Sequence, residues 1–169
     1  MMKTAYFAGG CFWCITPCFA RLPGVDSVVS GYSGGEEKDP TYAQVKHQET
    51  HHRETVAVTY DPAQVSYETL LSIFLRHVDP FDGGGQFIDR GTSYTLAVYY
   101  TDAAEKAAAE ARFAALAARA GKPVQITLAP FAAFYEAEEE HQDYYLKHPQ
   151  EFAEEMRASG RLKEESHEL

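Results

Sequence analysis

The stretch TVAVTYDP alternates apolar and polar positions as a half-buried strand does, and Asp61-Pro62 ends it. Just beyond, Leu70, Leu71, Phe74, Leu75 and Val78 recur at helical spacing behind Ser66. They predict a helix that starts at Ser66, stops at Asp79-Pro80 and lays one apolar stripe on a sheet. Lys3 to Ala8 reads as a short strand, Gly9-Gly10 as a turn, and Cys11 to Ala20 as a helix that Pro17 keeps short or bends. Further strands are expected over Asp26 to Gly31, SYTLAVYY and VQITLAP. An Ala-rich helix runs from about Ala103 to Ala120, capped by Gly121 and backed by Pro123, and two C-terminal helical stretches meet at His148-Pro149. GYSGGEEKDPTY and FDGGGQFIDRG are Gly-rich and polar, and both read as loops.

Strands and helices alternate over most of the chain, with no internal repeat and no clear linker. The expected fold is α+β, a single-domain two-layer sandwich over residues 1–169 in which a mixed sheet is covered by helices. With 169 residues, 45% of them hydrophobic, the chain can build one sizeable core. The formal charge is −10, and residues 136–169 hold 11 acidic against 4 basic side chains, so the excess is local. That disfavours nucleic acid as a partner and reads as a solvated helical face. No apolar run of 18 residues exists to cross a membrane. The segment Lys3-TAYFAGGC loosely imitates a lipoprotein signal, but it is too short for an apolar h-region, and a cytoplasmic location is expected. The two common Gly-rich nucleotide motifs are absent.

All three cysteines lie in GGCFWCITPCF. Three readings of them compete. In the first, Cys11 is a nucleophile at a strand-to-helix junction, where the helix N-terminus lowers its pKa. Cys14 then lies one turn on, within the roughly 4.4–6.8 Å between Cα atoms that a slightly strained, reducible disulfide accepts. In the second, the thiols bind zinc together with His47, His51 or His52, although the spacing lacks the pairing of structural zinc sites. In the third, they are small buried apolar residues of a helix, a description that suits Cys18 best.

GGCFWC resembles the active-site signature of the peptide methionine sulfoxide reductases of the A class. So do GYSGGEEKDPTY, HHRETVAVTYDP and HVDPFDGGGQFIDRGTSY, and the similarity continues in FYEAEEEHQDYY. These stretches follow the family's order from residue 5 to about residue 149. The resemblance implies thiol-dependent reduction of methionine S-sulfoxide, free or in proteins, with electrons from thioredoxin or another dithiol and no metal or bound organic cofactor. A monomer is expected.

By the same resemblance Cys11 is the nucleophile, and Glu54 is the acid that supplies the proton without which an oxide cannot leave. Left to the sequence alone, Glu54 reads as a surface carboxylate paired with His52 or Arg53. Tyr42 and Tyr94 match the family tyrosines whose hydroxyls hold the sulfoxide oxygen, and Asp89 matches an aspartate that orders the site. Phe12 and Trp13 match the rings of the pocket for the substrate methyl group. The chain departs from the family pattern at His51 and Arg53, which are larger than usual there. The Cys11 sulfenic acid needs a second thiol. The tail carries no cysteine, and Lys46 stands where some members have one. Cys14, as in the family's CFWC variant, is the expected resolving residue. Cys18 lies two turns from Cys11, beyond disulfide reach unless Pro17 bends the chain.

Overall fold

A computed structural model describes residues 1–159. Its centre is a mixed six-stranded sheet in the order β7-β6-β1-β3-β2-β8. The strands are β1 (Lys3–Gly9), β2 (Val25–Ser33), β3 (Arg53–Tyr60), β6 (Leu96–Tyr100), β7 (Ile126–Pro130) and β8 (Phe134–Glu136). Neighbours run antiparallel except β6 and β7, which are parallel because α4 (Ala103–Ala120) carries the chain back between them. The fold is the α+β, helix-covered mixed sheet that the sequence implies.

Strand alternation separates two apolar faces. Ala5 and Phe7 of β1, Val56 and Val58 of β3, and Leu96 and Val98 of β6 face the main core. There they meet Phe12, Ile15 and Phe19 of α1 (Phe12–Ala20) and the Leu70, Leu71, Phe74, Leu75 stripe of α3 (Tyr67–Arg76). Phe7 sits in the middle, stacked on Phe19 at 5.3 Å and Phe74 at 5.1 Å. The opposite face carries a smaller cluster of Ala8, Ala97 and Tyr99, with Tyr6 stacked on Phe131.

Helix ends follow their side chains. Ser66 accepts a hydrogen bond from the Thr69 N–H, Asp102 accepts one from Glu105, and Gly121 takes the left-handed conformation that ends α4. The segment GYSGGEEKDPTY is more ordered than a loop. Its first residues extend β2, and its end enters a short helix, α2 (Tyr42–Lys46), through a capping box between Thr41 and Gln44. FDGGGQFIDRG likewise holds a two-residue hairpin, β4 (Gly85–Gln86) with β5 (Asp89–Arg90). SYTLAVYY becomes a strand only at Leu96, because Thr92–Tyr94 form a 3-10 turn. The short helices α5 (Tyr144–Lys147) and α6 (Pro149–Ser159) abut at His148-Pro149.

The Gly-Gly turn places α1 on the sheet for two different reasons. Gly10 has φ of +87°, which a side chain disfavours. A Cβ on Gly9 would lie 2.9 Å from the Ile15 side chain and 3.2 Å from Phe74, so α1 packs directly on bare backbone. Gly9→Ala is therefore expected to destabilise the protein by about 1–3 kcal/mol through overpacking. Urea denaturation checks this, and an unchanged midpoint would show that α1 has room to move.

Candidate active site

Cys11 is the N-cap residue of α1 and is almost fully buried, at 6% exposure. Its side chain makes no capping bond. The first helical N–H, that of Phe12, instead donates to Glu54 Oε1 at 3.1 Å. Glu54 reaches this point from β3, opposite Tyr32 of β2, and is itself 1% exposed. Burial pushes its pKa up to about 8, and the charges of Asp89 and Cys14 add to this, while the Phe12 N–H and the more distant Lys46 pull it down. Oε2 is buried with no hydrogen-bond partner among the described residues. At neutral pH Glu54 is thus a carboxylic acid with one oxygen unengaged.

The thiol of Cys11 is hydrogen-bonded to Cys14, whose backbone N–H also donates to the Cys11 carbonyl at 3.1 Å. That bond raises the Cys11 pKa well above its ordinary value, and burial and the nearby acidic groups raise it further. The expectation of a thiolate favoured by the helix N-terminus is corrected here, because the thiol is bonded to Cys14, buried and set among acidic groups. In the resting site both Cys11 and Glu54 hold their protons.

Tyr42 opens α2, and Tyr94 ends the 3-10 turn before β6. Burial raises the pKa of both, and the charges of Glu54, Cys11 and Asp89 raise it further, so both remain O–H donors. Neither hydroxyl is hydrogen-bonded to another described residue. The Tyr94 turn is fastened by Gln48, whose side chain accepts from the Ser93 N–H and donates to the Ser93 hydroxyl at 3.0 and 2.8 Å. Tyr42 is fastened by Glu138, which accepts from the Tyr42 N–H at 3.0 Å and from the Tyr32 hydroxyl at 2.9 Å.

Phe12 and Trp13 belong to a larger aromatic wall. Trp13 stacks on Tyr144 with centroids 4.0 Å apart, and Tyr42 stacks on the buried His141 at 4.0 Å. Phe12 lies 6.2 Å from Tyr42. Gln48, Glu138, His141 and Tyr144 were not singled out from the sequence. The last three sit in an acidic run read as a solvated helical face, and the structure corrects that reading for His141, which is buried, while the exposed Glu138 reaches Tyr32 and Tyr42. Thr41 and Gln44 did carry a visible signal in their T-x-x-Q spacing.

The neighbours of Glu54 in sequence are turned elsewhere. Arg53 projects to the other face of β3, donating to Thr95, Tyr99 and Thr127. His52 accepts from the Gly35 N–H through Nδ1, and its Nε2 lies 2.7 Å from the Glu37 carbonyl. His51 is exposed and pairs with Glu37. Among the described residues no ion pair neutralises Glu54, and the unusual His51 and Arg53 are engaged elsewhere. Among the described residues the histidines of the zinc reading are not grouped with the cysteines. Among the described residues the one grouping of possible metal ligands is Glu138, Glu140 and His141, which includes no cysteine and none of His47, His51 or His52. Cys18 also departs from expectation. It is half-buried and, with Cys14, lines a groove between α1 and α6 of about 470 Å³.

A family model described as peptide methionine sulfoxide reductase matches residues 3–168. The peptide methionine sulfoxide reductase MsrA of Halalkalibacterium halodurans is 45% identical over 162 residues, covering 95% of this chain and 92% of that protein. Methionine sulfoxide reductase A of Corynebacterium diphtheriae has a similar structure, with a TM-score of 0.80 at 32% identity over 88% of this chain and 76% of that one. Mxr1 of Saccharomyces cerevisiae in its reduced form gives a TM-score of 0.82 at 28% identity, over 88% and 87% of the two chains.

The raised pKa of Glu54 has a consequence for stability. Between its ordinary value of 4.5 and about 8, native Glu54 keeps a proton that the unfolded chain releases. Its contribution is complete below about pH 4.5 and is lost as pH rises through about 8, at up to about 1.4 kcal/mol per pH unit. The stability of the wild type minus that of Glu54→Gln, taken from urea denaturation, should therefore fall from pH 5 to pH 8. A difference that stays constant across this window would mean that native Glu54 titrates as an ordinary surface carboxyl.

Proposed function

The chain belongs to the peptide methionine sulfoxide reductase family, and we propose that it reduces methionine S-sulfoxide with Cys11 as nucleophile, Glu54 as acid and Cys14 as resolving thiol. The observation that carries this reading is the uncharged Glu54 carboxyl, bonded to the N–H of the residue that follows Cys11, with Oε2 unengaged.

The sulfoxide oxygen would accept hydrogen bonds from Glu54 Oε2 and from the Tyr42 and Tyr94 hydroxyls, all of them neutral donors. Asp89 orders this oxygen site. As the Cys11 sulfur attacks the sulfoxide sulfur, Glu54 protonates the oxygen, and the proton released by the thiol restores Glu54. The step balances as thiol plus sulfoxide giving sulfenic acid plus sulfide, with no net proton drawn from solvent. That balance suits a buried site in which both groups rest protonated.

Phe12 and Trp13, backed by Tyr42, give the substrate methyl an apolar wall. An oxygen site, a methyl wall and a fixed direction of attack together select one configuration at sulfur. Cys14 then attacks the Cys11 sulfenic acid, releasing water and leaving a disulfide. A thioredoxin-like dithiol returns both thiols, and neither a metal nor an organic cofactor enters any step. Among the described residues no helix is long and apolar enough to cross a membrane, and we take the protein to work in the cytoplasm, where such dithiols are available.

Single-turnover reactions with the separated sulfoxide epimers test the proposal. The S epimer should react and the R epimer should not. Glu54→Gln should slow sulfenic acid formation by roughly 10²–10⁴-fold, and Cys11→Ser should abolish it. Cys14→Ser should consume about one equivalent of substrate and accumulate a dimedone-reactive Cys11. Activity confined to the R epimer, or an unimpaired Glu54→Gln, would contradict the assignment.

A further inference from the structure

Just after β8 the chain makes a 3-10 turn, Glu139–His141, in which the His141 N–H donates to the Glu138 carbonyl at 2.9 Å. Residues three apart eclipse one another in such a turn, so Glu138 and His141 project on one side of it. Glu-x-x-His is also the spacing by which helical metal sites present a carboxylate and an imidazole together. Glu140 joins the pair: one ligand atom from each of Glu138, Glu140 and His141 lies within 4.8 Å of the other two. Lys147 engages the neighbouring Glu139, and among the described residues no lysine or arginine forms an ion pair with Glu138 or Glu140.

Carboxylates clustered at a surface would mean little without the histidine. His141 is 7% exposed, and among the described residues neither of its ring nitrogens has a hydrogen bond. Nδ1 is buried without a partner, and Nε2 lies 3.7 Å from Glu140 Oε1, too far for a hydrogen bond. Buried polar groups normally find partners, and a bound ion is one of the things that accounts for an exception. Burial keeps the ring neutral against the pull of Glu138 and Glu140, so it has a lone pair to offer. Two ligands of a tetrahedral zinc ion, each about 2.0–2.1 Å from the metal, stand about 3.4 Å apart. The separation of 3.7 Å is close to that, and the Glu140 side chain, 75% exposed, has room to swing in.

We propose that Glu138, Glu140 and His141 bind a divalent cation of the zinc class, and that the bound ion slows sulfoxide reduction by taking Glu138 from Tyr42. One imidazole and two carboxylates suit such an ion, with solvent in the remaining position. Glu138 accepts from the Tyr42 N–H at 3.0 Å and from the Tyr32 hydroxyl at 2.9 Å, and His141 stacks on the Tyr42 ring at 4.0 Å. A metal ion draws on the same carboxylate lone pairs and fixes the imidazole, so Tyr42 loses the acceptor that anchors the start of α2. Binding by the cluster is independent of the roles given above to Cys11 and Glu54, whereas the slowing rests on them.

Cobalt(II), whose absorption reports its ligands, is the probe. Titrated into reduced, full-length protein, it should bind at about one equivalent and give visible ligand-field bands without the near-ultraviolet charge transfer of thiolate ligation. Glu140→Gln, at an exposed position, should weaken binding by at least about tenfold, the low end of what disturbing even an outer partner of a metal costs, and His141→Asn should do the same. Single-turnover reduction of methionine S-sulfoxide by the wild type should slow in step with the ligand-field bands, and Glu140→Gln should need at least about tenfold more cobalt for the same relative slowing. No ligand-field bands, cobalt held only through thiolates, or equal affinity in Glu140→Gln would overturn the site. Binding at the cluster with an unchanged rate would overturn the inhibition. A wild type inactive before cobalt is added would remove the reductase chemistry and leave the binding result to stand or fall by the spectra.

Discussion

A single backbone N–H, that of Phe12, points from the start of α1 into a buried carboxyl of β3, and the arrangement of the site follows from that contact. The bond draws on the positive end of the helix, which normally stabilises an anion. Burial opposes it more strongly, so Glu54 keeps its proton near neutrality. The same contact fixes Cys11, one residue earlier, beside the acid. A site that holds both partners protonated can move oxygen from one sulfur to another without exchanging charge with water.

Helix α1 bears the rest of the arrangement. Its N-cap is the proposed nucleophile Cys11, its side chains include Phe12, Trp13 and two further thiols, and its position on the sheet depends on the bare backbone of Gly9 beneath Ile15. Its outer turns are pinned to β2 through Thr16, which lies 3.2 Å from Ser30. Tyr42 comes from α2 and Tyr94 from the 3-10 turn before β6, and each is held by a side chain distant in sequence, Gln48 for the turn of Tyr94 and Glu138 for Tyr42. The proposed donors Glu54, Tyr42 and Tyr94, all neutral, therefore come from three elements.

Much of this was legible in the chain. The stripe on α3, the cap of α4 and the Gly-Gly turn announce their elements, because each is set by neighbours in sequence. The period of two in β3 already separates Arg53 from Glu54, although both look like members of one charged cluster. What could not be read are contacts across long separations. The Glu138 carboxylate, within an acidic run, gives no sign that Tyr32 and Tyr42, 106 and 96 positions earlier, will be its partners. Cys18 reads as an apolar helical residue until α6 is seen to form a groove beside it. The raised pKa of Cys11 was hidden for the same reason, since beyond its bond to Cys14 it depends on burial and on the distant Glu54 and Asp89.

The central claim is that Glu54 is an uncharged acid in the resting protein. Difference infrared spectra of wild type against Glu54→Gln, recorded across a pH series, observe this directly through the carbonyl stretch of a protonated carboxyl. The band should be present at pH 7, fall to about half near pH 8 and vanish above it. A wild type that shows only the carboxylate signature at pH 7 would contradict the account.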